Sequence, residues 1–193
     1  LRDGVARFVR DRLIPNEGLV ADTDVVPEPI VAEMKALGLF GLSIPEAYGG
    51  LGLTMEEEVT IAFELGRTAP AFRSLLGTNN GIGSQGLVLD GTPEQKSRYL
   101  PRLASGELIA SFALTEPGSG SDAASLATSA RRDGDHYVLN GTKRYITNAP
   151  EAGIFTVMAR TDPADKGAHG ISAFIVERGT LGLSLGKLDH KMG

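Results

Sequence analysis

The chain has 193 residues, with 19 Lys and Arg against 24 Asp and Glu for a net charge of −5, and contains no cysteine. That length supports one domain or two small ones with a real core, and 41% hydrophobic content rules out a disordered or fibrous chain. Without cysteine there is no disulfide scaffold, thiolate zinc site, Cys nucleophile or Cys-ligated cluster, and the mild acidity argues against a nucleic-acid groove.

The first hundred residues read as helices. Val5, Phe8, Val9 and Arg12 stand at i, i+3, i+4 and i+7, a stripe continued by Leu13 and expected to stop at Pro15. Ile30, Met34 and Leu37 repeat the spacing, with Gly38 placed to take a positive φ after the helix. Thr54 with Glu57, and Thr92 with Pro93 and Gln95, are N-terminal capping boxes. Pro101 should kink or restart the second of these helices before Gly106 ends it.

From Ile109 the pattern changes to short β-branched and aromatic runs: 109–114, 136–139, 154–159 and 171–176. Asp133-Gly134 and Asn140-Gly141 are tight-turn dipeptides, the first marking a hairpin. No long helical pattern separates these runs, which disfavours a parallel βαβ sheet. The expectation is an α+β multidomain chain: an all-α domain over 1–108, then an antiparallel β-barrel or sandwich domain over 109–193.

Several chemistries can be set aside. Gly81-Ile82-Gly83-Ser84-Gln85-Gly86 spells the dinucleotide fingerprint but follows a helical pattern rather than a strand, so it reads as close packing. His136, His169 and His190 lack metal-ligand spacing, and no metal site is expected. The uncharged run 74–89 is interrupted by polar residues, and the N-terminus mixes Arg with Asp. Neither reads as a membrane span or a secretory signal, and the default is a soluble, cytoplasmic protein.

Two stretches carry chemistry. In Phe112–Asp122, a strand delivers Thr115 and a Pro/Gly turn then exposes amides and the hydroxyls of Ser119 and Ser121. Such a turn is either an anion nest or a flexible connector. In Asn140–Asn148, strand alternation would put Tyr145 and Thr147 on one face, where Tyr145 either flanks a planar ligand or packs across strands.

The order and spacing of FALTEPGSGSD (112–122) and LNGTKRYITNA (139–149) resemble the acyl-CoA dehydrogenase family. IPEAYGGLGL (44–53) and GTPEQKSRYLPRLASGE (91–107) support the resemblance, and KMG at the C-terminus resembles the point where relatives run on into their last domain. The resemblance implies an α domain, a β domain and a C-terminal helical bundle that is absent from this chain. It further implies FAD as cofactor, an acyl-CoA oxidised to its trans-2-enoyl-CoA, an electron-transfer flavoprotein as acceptor, and a homo-oligomer, dimer or tetramer, in the cytoplasm or the mitochondrial matrix. The base would be a Glu on the missing domain, so no catalytic residue is assigned here and the chain alone should be inactive.

By motif position, the resemblance gives Phe112 and Leu114 a place bordering the flavin, and Thr115 a hydrogen bond to its pyrimidine edge. Gly120 and Ser121 would hold the pyrophosphate, with Ser121 also near the CoA chain. Tyr145 would lie against the isoalloxazine, with Ile146 and Thr147 completing the edge. Two departures stand out: Tyr145 where many relatives have Trp, and Phe112 where some have Tyr. Glu116 lies inside the motif, and the resemblance gives it a loop role. A flavin-dependent oxidase or monooxygenase of the same fold, and a non-catalytic flavin- or CoA-binding subunit, are the alternatives.

Overall fold

A computed structural model describes residues 1–189, which divide into two compact units, Leu1–Ile109 and Ala110–Asp189. The KMG triplet lies outside the described residues.

The first unit is helical: α1 (Arg2–Phe8), α2 (Glu17–Thr23), α3 (Glu28–Ala36), α4 (Met55–Leu65), α5 (Pro70–Asn80), α6 (Gln85–Asp90) and α7 (Pro93–Ala104). Its core gathers the apolar stripes: Val5, Phe8, Val9 and Leu13 pack in one cluster with Ile30, Met34, Phe40, Ile61, Leu65 and Phe72. Both capping boxes are complete: Thr54 accepts from the Glu57 amide and Thr92 from the Gln95 amide, while each acidic or amide partner reaches back. Gly38 takes φ +72° after α3.

Pro15 does not stop the first helix. A π-turn over Val9–Leu13 absorbs the missing N–H, with the Ile14 amide reaching back five residues to Val9, and a 3₁₀ turn carries the chain into α2. Likewise α7 runs on through Pro101.

The glycine-rich stretch 44–53 is a folded loop. A Cβ on Gly50 would stand 2.0 Å from the Ile44 carbonyl oxygen, so only glycine lets the chain cross there. The crossing is fastened by Gly52 N to Ile44 O at 2.9 Å, Leu51 N to Gly41 O at 2.8 Å and Leu53 N to Leu42 O at 2.8 Å. The fingerprint-like stretch 81–86 follows α5 and runs into the start of α6 with no strand before it, consistent with the packing reading. Beside them, buried Asn79 donates to the carbonyls of Leu103 and Leu108 at 3.0 and 2.8 Å. Asn80 accepts from the Leu42 amide at 2.7 Å and donates to Leu39 O at 2.6 Å. These two side chains tie three separate stretches of the helical unit together.

The second unit holds β1 (Ala110–Ala113), β2 (Ser129–Asp133), β3 (His136–Asn140), β4 (Ile154–Arg160) and β5 (Ile171–Glu177). The sheet is mixed, which corrects the antiparallel expectation. β2–β3 and β4–β5 are antiparallel, but β1 pairs with β4 in parallel, Ala110 opposite Ile154 through Ala113 opposite Val157. Ser129 also meets Arg160 in parallel. A parallel pair needs a long crossover, usually a helix; here the connection 114–153 supplies it through loops and the β2–β3 hairpin. The hairpin turns at Gly134, φ +64°, with Asp133 paired to His136.

Asn140-Gly141 is not a hairpin turn. Gly141 avoids the left-handed region and instead allows close approach: a Cβ there would lie 2.7 Å from the Thr128 Cα. The chain leaves β3 at this point and runs back beside the end of β1.

Candidate flavin-edge site

The end of β1 positions the first segment. Ala110, Ser111 and Ala113 are buried against the sheet, while Phe112 is half-buried, as are Leu114 and Thr115 beyond the strand. The turn that follows closes on itself: Glu116 and Ser119 exchange backbone bonds at 2.8 and 3.2 Å. No residue of 116–122 takes a positive φ, so the turn lacks the left-handed step that shapes many nests. Ser119 is turned inward, its hydroxyl on the Asp122 carbonyl at 2.7 Å, and is not the exposed group expected of it. Gly120 and Ser121 are exposed, and nothing stands within 4 Å of where a Cβ on Gly118 or Gly120 would be.

The second segment is not a strand. Residues 141–148 form an irregular stretch with Tyr145 at φ +58° and Asn148 at φ +61°. A positive φ breaks the period-two alternation, so the shared strand face read for Tyr145 and Thr147 does not exist. Tyr145 is not a cross-strand core residue either; it is exposed, with the Arg144 guanidinium 4.7 Å from its ring centroid. Tyr145, next to Ile146, carries about 1–3 kcal/mol of strain in the left-handed region, a cost that persists where the surroundings over-determine the geometry, whereas Asn148 adopts that region readily.

Those surroundings are the first segment. Arg144 N donates to Thr115 O at 2.8 Å, Lys143 Nζ to Leu114 O at 3.0 Å, and the Ser111 hydroxyl to Thr147 O at 2.7 Å. The structure thereby brings Phe112, Leu114, Thr115, Tyr145, Ile146 and Thr147 onto two adjoining segments, with the open Gly120-Ser121 turn continuing from the first.

Lys143 and Glu116 underlie this arrangement, and reading the sequence did not single them out for it. Lys143 Nζ lies 2.8 Å from Glu116 Oε1, with 11% and 6% of the two side chains exposed. Glu116 also accepts from the amides of Ala127 at 2.6 Å and Thr128 at 2.9 Å. Burial pushes its carboxyl up, but the Lys143 ammonium and these backbone donors outweigh it and hold the carboxyl at about 2. The partners are far apart in sequence, so no local spacing announces the pair. A carboxylate so strongly stabilised is a poor proton acceptor and cannot serve as a general base.

His136 is exposed beside Asp135, and among the described residues no group of three or more His, Cys, Asp or Glu is placed to hold a metal ion. Nor, among them, is any helix long and apolar enough to cross a membrane.

The helical unit followed by a mixed sheet, with this pair of stitched segments, defines a recognised class. The chain matches the model of the acyl-CoA dehydrogenase N-terminal domain over residues 1–107 and that of the middle domain over residues 111–193. It belongs to the acyl-CoA dehydrogenase family. It is 40% identical over 193 residues to an acyl-CoA dehydrogenase of Bacillus subtilis, covering 100% of this chain and 51% of that protein. A 3-(aryl)acrylate reductase of Clostridium sporogenes is 41% identical over 186 residues, 96% of this chain and 49% of the relative. An acyl-CoA dehydrogenase of Bacillus anthracis solved in complex with FAD superimposes with a TM-score of 0.86 at 40% identity, over 100% of this chain and 33% of that one. The chain thus spans about half the length of the curated relatives named here.

Proposed function

We propose that this chain forms the flavin-binding part of an FAD-dependent acyl-CoA dehydrogenase that oxidises an acyl-CoA thioester to the trans-2-enoyl-CoA and passes electrons to an electron-transfer flavoprotein. The observation that carries the reading is the stitching of 111–116 to 143–147, which joins two hydroxyl-bearing segments with half-buried apolar side chains beside them. Family membership and a relative solved with FAD support it.

The residues present fit FAD. Phe112, Leu114 and Ile146 offer half-buried apolar surface to a planar ring, and Thr115 and Thr147 offer hydroxyls to its polar rim. The turn at Gly118–Ser121 leaves backbone open to approach, with the exposed Ser121 hydroxyl to meet a diphosphate. When bound, FAD accepts the hydride leaving the substrate β-carbon. The chain's own part is to orient and shield: the apolar side chains keep water from the ring, and the hydroxyls fix its edge. The base that takes the α-proton is not Glu116, whose carboxylate oxygens are buried and taken up by Lys143 and two backbone amides. We assign it to no residue of this chain.

Two substitutions check the assignment in the FAD-loaded protein. Thr147→Val is expected to weaken FAD binding or slow flavin reduction about tenfold, the worth of one hydrogen bond at the upper end of its range. Unchanged affinity and reduction rate remove Thr147 from the site. Ser121→Ala is expected to cost about 1–3 kcal/mol of FAD binding if the hydroxyl meets a charged phosphate oxygen. Equal FAD retention in parallel dialysis contradicts that role.

Substrate class is tested by turnover with a panel of acyl-CoA thioesters, with an artificial acceptor and with oxygen. Bleaching of the flavin by an acyl-CoA and slow reoxidation by oxygen support the dehydrogenase. Fast reoxidation by oxygen favours an oxidase on the same fold, and a colourless protein favours a non-catalytic binding subunit. The relative named as an acrylate reductase supports a second reading, reduction of an unsaturated acid, which the panel separates by including acrylates.

A further inference from the structure

We propose that Lys143 and Glu116 are positioning residues for the flavin: a buried ion pair that bridges the residues on either side of Thr115 and sets where the hydroxyls of Thr115 and Thr147 stand. The inference rests on the flavin reading above and assigns the pair a part in it beyond stability.

The geometry is specific. Lys143 Nζ donates to Leu114 O at 3.0 Å and to Glu116 Oε1 at 2.8 Å, spanning Thr115 from behind. The next residue along, Arg144, fastens Thr115 itself through its amide at 2.8 Å. Glu116 in turn is anchored to the amides of Ala127 and Thr128, just before β2. The first segment is therefore held at three consecutive residues by the second, and the second is held to the sheet through Glu116. Immediately beyond this clamp the chain enters its left-handed step at Tyr145, and the Ser111 hydroxyl takes up Thr147 O at 2.7 Å. Release of Lys143 would free the carbonyl of Leu114 and loosen the strained turn that presents Thr147.

A pair serving only as a strut would be indifferent to the ligand. Three features argue otherwise. The ammonium bonds the residues on both sides of Thr115 from the segment that carries Thr147, and it is a cation with 11% exposure in a chain of net charge −5. Its carbonyl partner, Leu114, is itself a half-buried residue assigned to the flavin border. The ion pair is a fixed dipole whose two ends act with opposite sign on any ring resting on the two segments, and a poorly solvated site screens them little.

The test uses the intact FAD-loaded protein, with FAD affinity of the apoprotein, the visible flavin spectrum and the flavin reduction potential as readouts, and thermal stability measured in parallel. Lys143→Met is expected to weaken FAD at least tenfold, to displace the flavin absorption bands and to lower the potential, while Lys143→Arg retains most of the affinity. Glu116→Gln should likewise weaken FAD and displace the bands, but raise the potential, because it removes the negative member of the pair. If Lys143→Met fails to fold, the double variant Glu116→Gln with Lys143→Met, which leaves no charge buried alone, supplies the measurement. A folded variant lacking the pair but keeping wild-type affinity, spectrum and potential overturns the proposal. Thr115→Val and Ser121→Ala run alongside separate the two readings: if they weaken FAD and the pair variants do not, only this inference fails. If none of them alters FAD binding, the flavin assignment itself fails.

Discussion

Asn80→Ala is expected to lower the stability of the helical unit by about 2–6 kcal/mol, with loss of cooperative unfolding at the upper end. The residue is 9% exposed, and its side chain satisfies two backbone groups distant in sequence, the Leu42 amide and the Leu39 carbonyl. Truncation leaves both buried without a partner, and each orphaned group costs about 1–3 kcal/mol. The loop they belong to carries Gly41, whose own position would bring a Cβ to 2.9 Å from the Ala104 Cα, so the loop cannot slide to find other partners. Denaturant unfolding followed by far-UV circular dichroism measures the change. A loss below about 0.5 kcal/mol, the range of an ordinary surface substitution, shows that the loop is held otherwise.

The second large effect is acid lability through Glu116. Its carboxyl is held at about 2, below the usual 4.5. A depressed folded-state value stabilises the fold fully above pH ~4.5, the unfolded value, and that stability is lost as the pH falls through about 2. The whole contribution is about 3 kcal/mol, of which about 2 kcal/mol disappears between pH 5 and pH 3. Unfolding free energies of wild type and Glu116→Gln measured across that window should therefore converge as the pH falls. The other carboxylates titrate in both proteins and drop out of the difference. Parallel curves, with a constant gap between the two proteins, would show that Glu116 gains nothing from Lys143 and the two amides.

Where residues act through nearest neighbours, the sequence was legible. The capping boxes at Thr54 and Thr92 need only three-residue spacing and appear as read; of the stripe, Val5, Phe8, Val9 and Leu13 reach the core, while Arg12 stays exposed and the last turn is a π-turn. The strands at 110–113, 136–140, 154–160 and 171–177 match the β-branched runs for the same reason. Strand partnership was not legible, because parallel pairing of β1 with β4 depends on where a long connection returns the chain. The candidate site divides in the same way. Motif resemblance identified its two segments, and the structure joins them. Alternation failed at Tyr145 because a single positive φ reverses the side-chain order that a strand would impose. Glu116 and Lys143 had no local signal, since a buried ion pair between distant residues exists only after folding.

The proposed flavin seat, with its diphosphate, is the pair of adjoining segments at 112–121 and 143–147. An experimental structure of the intact protein with FAD bound is the most direct test. The ring edge is expected against Thr115 and Thr147, beside Tyr145, and the diphosphate at Gly120 and Ser121. A flavin bound away from both segments, with these residues facing solvent, would contradict it.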